Sequence, residues 1–217
     1  MAGILRGEGD WEAAIADSLR SARRPIRISP RFMPRGARGA PGVQGSTARL
    51  ASTLLLVYPG PTGELTIPLT VRHADLRTHA GEVSLPGGAV DAADRTRAAT
   101  AVREAGEEIG LDATGVRVLG ALDDIWIPVS NYRVRPFVAA VAERPALVPH
   151  DAEVSAIIEL PVRLLLDEGL VRDEVIELPG LRLRAGVYRH DGVRIWGATA
   201  RTLAMLSTVL LEAELDR

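Results

Sequence analysis

Glu104, Glu107 and Glu108 lie in the run Arg103-Glu104-Ala105-Gly106-Glu107-Glu108-Ile109-Gly110-Leu111. On a helix their i, i+3, i+4 spacing puts all three carboxylates on one face. Like charges at that spacing destabilise a bare helix by roughly 0.2–0.5 kcal/mol per pair. Such a helix either splays its acids into water or binds a cation. The first outcome is a solvated acidic stripe; the second calls for a hard divalent ion with oxygen ligands, Mg²⁺ or Mn²⁺. Leu85-Pro86-Gly87-Gly88 stands shortly upstream. The chain has no cysteine, and all 26 of its Lys and Arg residues are arginine. Thiolate metal sites, cysteine nucleophiles, Schiff-base chemistry and a phosphate-binding lysine are therefore excluded.

The elements that must position these residues can be read coarsely. Asp10 to Ala22 reads as a helix, with Trp11, Ala14, Ile15 and Leu19 at helical spacing and Asp10 as N-cap; it ends before Pro25. Residues 29–49, rich in Pro, Gly and Arg, read as a loop or arm. Ala51 to Tyr58 and Glu64 to Arg72 read as strands joined by the Pro59–Gly63 turn. The stretch after Gly88, AVDAADRTRAATAVREAGEEIGL, suits a helix stopped at Gly110. Further strands are expected at Val116–Leu122, Arg133–Val141, Val175–Glu177 and Leu183–His190. A turn of helix is expected near Pro161–Glu168 and a closing helix over Ala198–Leu215. Strands interleaved with a few helices suggest a layered mixed sheet with helices on both faces.

The order Gly-Gly, spacer, Arg-Glu-apolar-x-Glu-Glu-x-Gly-apolar resembles the box of the Nudix hydrolase superfamily, G-x5-E-x7-R-E-U-x-E-E-x-G-U. Its second half matches at every fixed position, with Ala105 and Leu111 as the apolar members. The first half departs: six residues after Gly88 stands Asp94 rather than a glutamate, and the spacer to Arg103 is one residue longer. The resemblance implies an α/β (α+β) fold, a Nudix-like α/β/α sandwich with a mixed β-sheet between helices. It implies that Glu104, Glu107 and Glu108 ligate Mg²⁺ or Mn²⁺, with the Gly87 carbonyl as a backbone ligand. Arg103 would hold the carboxylates, with Asp94 supporting at most. Activated water then attacks phosphorus, and a further glutamate takes the proton. Glu153 stands roughly where such an extra glutamate is supplied; an exposed loop glutamate is the alternative. Glu107, Arg103 and Glu153 are thus the candidate catalytic group.

Immediately before the box, Leu69-Thr70-Val71-Arg72-His73 through Arg77, Gly81 and Leu85-Pro86-Gly87-Gly88 resembles the motif of the coenzyme A pyrophosphatase subfamily, roughly L-L-T-x-R-S-x3-R-x3-G-x3-F-P-G-G. Pro68, His73 and Leu85 differ from it. This resemblance implies hydrolysis of CoA or an acyl-CoA to 3′,5′-ADP and a 4′-phosphopantetheine product. Arg72 and Arg77 would hold phosphates, which a guanidinium fork suits, and His73 and His79 flank them. The alternatives are a Nudix hydrolase of another nucleoside diphosphate derivative such as ADP-ribose, and a Nudix-fold binding module without catalysis. PVSNYRVRPFVAAV and GVRIWGATARTLAML also look like this subfamily, so the resemblance runs from about Ala48 onward. Trp196, Gly197 and Thr199 read as a packed helix start.

Residues 1–47 are expected to form a helix and Arg/Pro/Gly-rich arm packing on a Nudix domain over 48–217. Arg20, Arg23, Arg24, Arg27, Arg31, Arg35 and Arg38 have no acid among them, which suits either a solvated arm or a phosphate-contacting one. The formal net charge of −2 gives no general reason to bind nucleic acid, and no apolar run approaches the roughly 18 residues that span a bilayer. A small-molecule substrate, no nucleic acid, no membrane, a cytoplasmic location and a homodimer are the expectations.

Overall fold

The computed structural model describes residues 7–29, 32, 47–73, 81–150, 152–178 and 181–215. Most of the arginine-rich arm, together with Arg77 and His79, lies outside them.

The first strand, β1 (Arg49–Pro59), is buried on both faces and reads as a nearly unbroken apolar run. Its alternate residues sort into two cores. Leu54, Leu56 and Tyr58 pack with Ala101, Ala105 and Ile109 of the box helix; Leu55 and Val57 pack with Trp11, Ile15 and Leu19 and with Leu203, Leu206 and Val209. The box helix is α2 (Arg97–Ile109), and the opposite face carries α1 (Trp11–Ser21) and α3 (Gly197–Leu215). The strands between these layers are β2 (Leu65–Arg72), β3 (Val83–Ser84), β4 (Gly87–Ala89), β5 (Arg117–Ala121), β6 (Ile125–Ile127), β7 (Tyr132–Ala140) and β8 (Val154–Pro161). They form one mixed sheet ordered β3-β2-β1-β7-β5, with β4 on β1, β6 on β7 and β8 on β2. β1 and β7 run parallel, Ser52 beside Arg135 and Leu54 beside Phe137; the remaining pairs are antiparallel. This is the expected α/β sandwich around a mixed sheet. A second antiparallel sheet holds β9 (Val171–Leu178), β10 (Leu181–His190) and β11 (Val193–Ile195).

Several elements differ from the sequence reading. α2 starts at Arg97, not directly after Gly88. Residues 87–89 instead pair with β1, and Asp91–Asp94 closes a turn in which the Asp91 N–H donates to Asp94 Oδ2 (2.9 Å) and the Asp94 N–H to the Asp91 carbonyl (3.1 Å). Thr96 then caps the helix, its hydroxyl accepting from the Ala99 N–H. Pro161–Glu168 holds a 3₁₀ turn, Val162–Leu166. The short β3, β4, β6 and β11 and the eight-residue β8 were not anticipated.

α1 has the expected Asp10 cap. It lies close on β5, where a Cβ on Gly120 would stand 3.1 Å from Leu19 Cβ. Leu19 is 4% exposed, so Leu19→Ala is expected to cost about 2–5 kcal/mol in urea denaturation. A loss under about 1 kcal/mol would mean that α1 is not part of this core. Phe32 is buried as well, and Tyr188 donates its hydroxyl proton to the Phe32 carbonyl (3.1 Å). Among the described residues no helix is long and apolar enough to cross a membrane.

Candidate active site

α2 carries the three glutamates because its other face is needed for the core: Ala101, Ala105 and Ile109 are fully buried. The helix ends at Gly110, whose φ of 66° is left-handed and favours glycine, with its N–H donating back to Gly106. Two of its final carbonyls are satisfied from the loop before β8: Val148 donates to Ile109 and His150 to Glu108, each at 2.9 Å. That loop leads into Glu153, whose carbonyl accepts from the His73 N–H at the end of β2 (3.0 Å). One short segment therefore ties Glu153 to both α2 and β2.

Arg103 is the hub of the acidic group. It grips Asp94 through two bonds, Nε to Oδ1 (3.0 Å) and Nη2 to Oδ2 (3.1 Å). The same guanidinium reaches Glu104 Oε1 (2.9 Å), Glu107 Oε2 (2.9 Å) and the Ala89 carbonyl (3.3 Å). These bonds, first of all those to Arg103, hold the Asp94 carboxyl well below its ordinary range, and those to Asp94 raise the Arg103 pKa in turn. Asp94 sits in a turn, so helical register does not fix its separation from Arg103. The longer spacer is tolerated for that reason, and Asp94 is a direct partner of the hub rather than a bystander.

The glutamates differ in environment. Glu107 is 60% exposed, whereas Glu108 is 7% exposed and takes one hydrogen bond, from the Gly87 N–H to Oε2 (3.2 Å). Burial pushes the Glu108 carboxyl up to about 7; the charges of Glu153 and Glu104 push the same way, and Arg72 opposes them. Glu104 is also raised, by burial first and then by Glu107 and Glu153. Glu153 is thus electrically part of the group although it stands 45 residues beyond Glu108 in sequence. Gly88 explains how Glu104 fits: a Cβ there would lie 2.4 Å from Glu104 Oε2. At Gly87 the contact to the group is its N–H. Arg72, at a register shift in the β2–β8 pairing, has a buried Nε without a hydrogen-bond partner among the described residues.

Arg72, Gly87, Arg103, Glu104, Glu107, Glu108 and Glu153 are therefore brought together, while Arg77 and His79 fall outside the described residues. Trp196 packs against the β9–β10 core, and Thr199 donates to the Val83 carbonyl (3.2 Å); both tie α3 into the fold. Among the described residues no three His, Asp or Glu side chains form a ready cation cage, and Arg103 is bonded to both Glu104 and Glu107. The donor set nevertheless fits a hard divalent ion. All its donors are oxygens, Glu108 is a buried carboxylate without a cationic hydrogen-bond partner among the described residues, and four glutamates face two arginines. The sequence reading missed Asp124, on which Arg97, Arg133 and Arg135 converge. The alternation Arg133-x-Arg135 was the available signal, because it places both side chains on one strand face.

The NUDIX domain family matches residues 50–177. "Nudix hydrolase 22, chloroplastic" of Arabidopsis thaliana is 35% identical over 168 residues, covering 75% of this chain and 55% of that protein. "Uncharacterized Nudix hydrolase NudL" of Pectobacterium atrosepticum is 37% identical over 163 residues, covering 73% of this chain and 81% of that one. The match thus spans about half the length of the Arabidopsis relative. Among solved structures, a Nudix hydrolase from M. smegmatis, RenU, aligns with 54% of this chain and 72% of its own at 26% identity and a TM-score of 0.43.

Proposed function

The chain belongs to the Nudix family, and from that premise we propose that it is a divalent-metal-dependent pyrophosphohydrolase that cleaves coenzyme A or an acyl-CoA into 3′,5′-ADP and a 4′-phosphopantetheine product. The observation that carries the substrate assignment is Arg72. It heads the arginine motif before the box, and its charge acts directly on the Glu108 carboxylate. Its guanidinium, on a half-buried side chain beside the acidic group, suits the phosphate of a substrate laid across it.

Glu104, Glu107 and Glu108, with the Gly87 backbone, would hold Mg²⁺ or Mn²⁺. The bound ion supplies charge neutralisation to the pyrophosphate and acidifies water. The chain's own residues do the rest. Arg103 fixes the orientation of Glu104 and Glu107, and Asp94 fixes Arg103. The Gly87 N–H holds Glu108. Glu153 accepts the proton as water attacks phosphorus in line, and the leaving phosphoryl oxygen carries away the bonding electrons. Arg72, with Arg77 of the same motif, receives the phosphates.

Arg72→Ala is expected to raise KM for CoA by about tenfold or more, since a charged hydrogen bond contributes roughly 1.5–3 kcal/mol, and to change KM for a generic dinucleotide far less. Steady-state kinetics on both substrates decide the matter. Equal effects on the two would remove the recognition role and leave another nucleoside diphosphate derivative, such as ADP-ribose, as the substrate.

A further inference from the structure

Three guanidinium groups meet one carboxylate at the N-terminal end of α2. Arg135 Nε donates to Asp124 Oδ1 (2.7 Å), Arg97 Nη1 contacts both Asp124 oxygens (3.2 and 3.3 Å), and Arg133 Nε stands 3.5 Å from Oδ2, at ion-pair distance but without a hydrogen bond. Arg97 also donates through Nη2 to the Ala51 and Arg133 carbonyls (2.6 and 3.0 Å), which fixes it in place. Among the described residues no other acid pairs with any of the three. The neighbouring Asp123 is committed to Arg24 (2.7 Å) and to the Ile26 N–H, and Arg20 to Asp17.

The cluster therefore carries two positive charges in excess. Like charges gathered in a partly buried place repel strongly. Burial, and then Arg135 and Arg133, pull the Arg97 pKa down against the upward pull of Asp124. The Nε atoms of Arg97 and Arg133 are buried with no hydrogen-bond partner among the described residues. The unbalanced charge calls for an anion, and the partly exposed side chains of Arg133 and Arg135 are open to one. The first turn of α2, whose backbone dipole is positive at this end, adds to the attraction. Asp124 and Arg135, though not Arg97 or Arg133, also line a cleft of about 460 Å³ between α1 and β5, with Arg20, Arg24 and Leu119 on its other walls. Trp126 stands opposite Arg133 in the β6–β7 pairing, so its half-buried indole shares the arginines' face.

We propose that Arg97, Arg133 and Arg135 form a second phosphate-binding site, separate from the glutamates, that takes a phosphate monoester, with Asp124 as a built-in anion that keeps the arginines ordered when the ligand is absent. Arg97 lies seven residues before Glu104, so the site stands roughly 10 Å along the helix axis from the first of the glutamates. The assignment does not depend on the substrate of the glutamate site.

Calorimetric titration of the full chain in EDTA and physiological salt tests this, because without divalent ions the glutamates repel phosphate. Inorganic phosphate and adenosine 3′,5′-bisphosphate are the probes. Saturable one-to-one binding of either is expected, weakened at least tenfold in Arg135→Ala and tightened severalfold in Asp124→Asn, which removes the competing charge. Opposite signs cannot come from a general folding defect. Equal affinity for the two probes assigns the site to the phosphoryl group alone; a preference for the nucleotide assigns part of it to the base. Failure of both probes to saturate overturns the proposal, as does wild-type affinity in a folded Arg135→Ala or weaker binding in Asp124→Asn.

Discussion

Glu108→Gln is expected to lower metal-dependent kcat by about 10²–10³-fold, while making the metal-free protein more stable at alkaline pH. The two effects have one cause. Glu108 is a buried carboxylate held by the Gly87 backbone N–H, with its pKa raised from 4.5 to about 7. An acid with a raised folded-state pKa costs nothing below its unfolded value and imposes its full cost above its folded value. For Glu108 the penalty grows from pH 4.5 to about pH 7 and amounts to on the order of 3 kcal/mol beyond that. Glutamine keeps the oxygen that accepts from Gly87 and never carries the charge. The variant should therefore melt higher than wild type at pH 8 in EDTA and almost level with it at pH 5. Its lost charge is one that the metal ion needs, and several kcal/mol of transition-state stabilisation go with it. A variant no more stable at pH 8 than wild type would show that the carboxylate is not strained in the metal-free state; undiminished kcat would remove Glu108 from the ligand set.

Arg103→Ala is expected to reduce activity about 10–100-fold, chiefly by raising the metal concentration required for half-maximal rate, the scale typical of groups that orient metal ligands. Arg103 is a positioning residue: it contacts Asp94, Glu104, Glu107 and the Ala89 carbonyl. Without it these acids repel one another with no intervening cation, so the melting temperature should also fall. Arg103→Lys separates the two roles. A lysine restores a positive charge but cannot reproduce the forked grip on Asp94. It should recover most of the stability and only part of the metal affinity, as read from Mn²⁺ titrations of rate. Full recovery by lysine would reduce Arg103 to a counter-charge.

The box helix was legible because its signals are local. The glutamate spacing, Gly110 at its end and the alanines of its core face all lie within one short segment. Its start was not legible, because the Asp91–Asp94 turn depends on side-chain to backbone bonds that compete with helix formation. β4 was missed for the opposite reason. Two glycines have no side-chain pattern, yet glycine is what that strand requires: a Cβ on Gly88 would run into Glu104, and one on Gly87 would stand 2.3 Å from the Ser52 carbonyl. β8 follows a proline-containing loop and pairs with β2 more than 80 residues earlier, Ile157 beside Thr70. That pairing, with the Val148 and His150 bonds to the end of α2, brings Glu153 near Glu104 and Glu108, so family resemblance could point to Glu153 while the residues alone left it an exposed loop acid. The Asp124 cluster likewise draws Arg97 from α2 and Arg133 and Arg135 from β7, and their meeting follows from how α2 and β7 both pack beside β1.

The most direct test of the central claim is to incubate the purified protein with CoA, ADP-ribose and a nucleoside triphosphate in Mg²⁺ and then in Mn²⁺, with EDTA as control, and to identify products by mass. The predicted result is metal-dependent release of 3′,5′-ADP and 4′-phosphopantetheine from CoA, faster than turnover of the other two. Turnover of ADP-ribose alone would contradict the CoA assignment while keeping the metal-dependent chemistry, and no turnover of any substrate under either metal would contradict catalysis at this site.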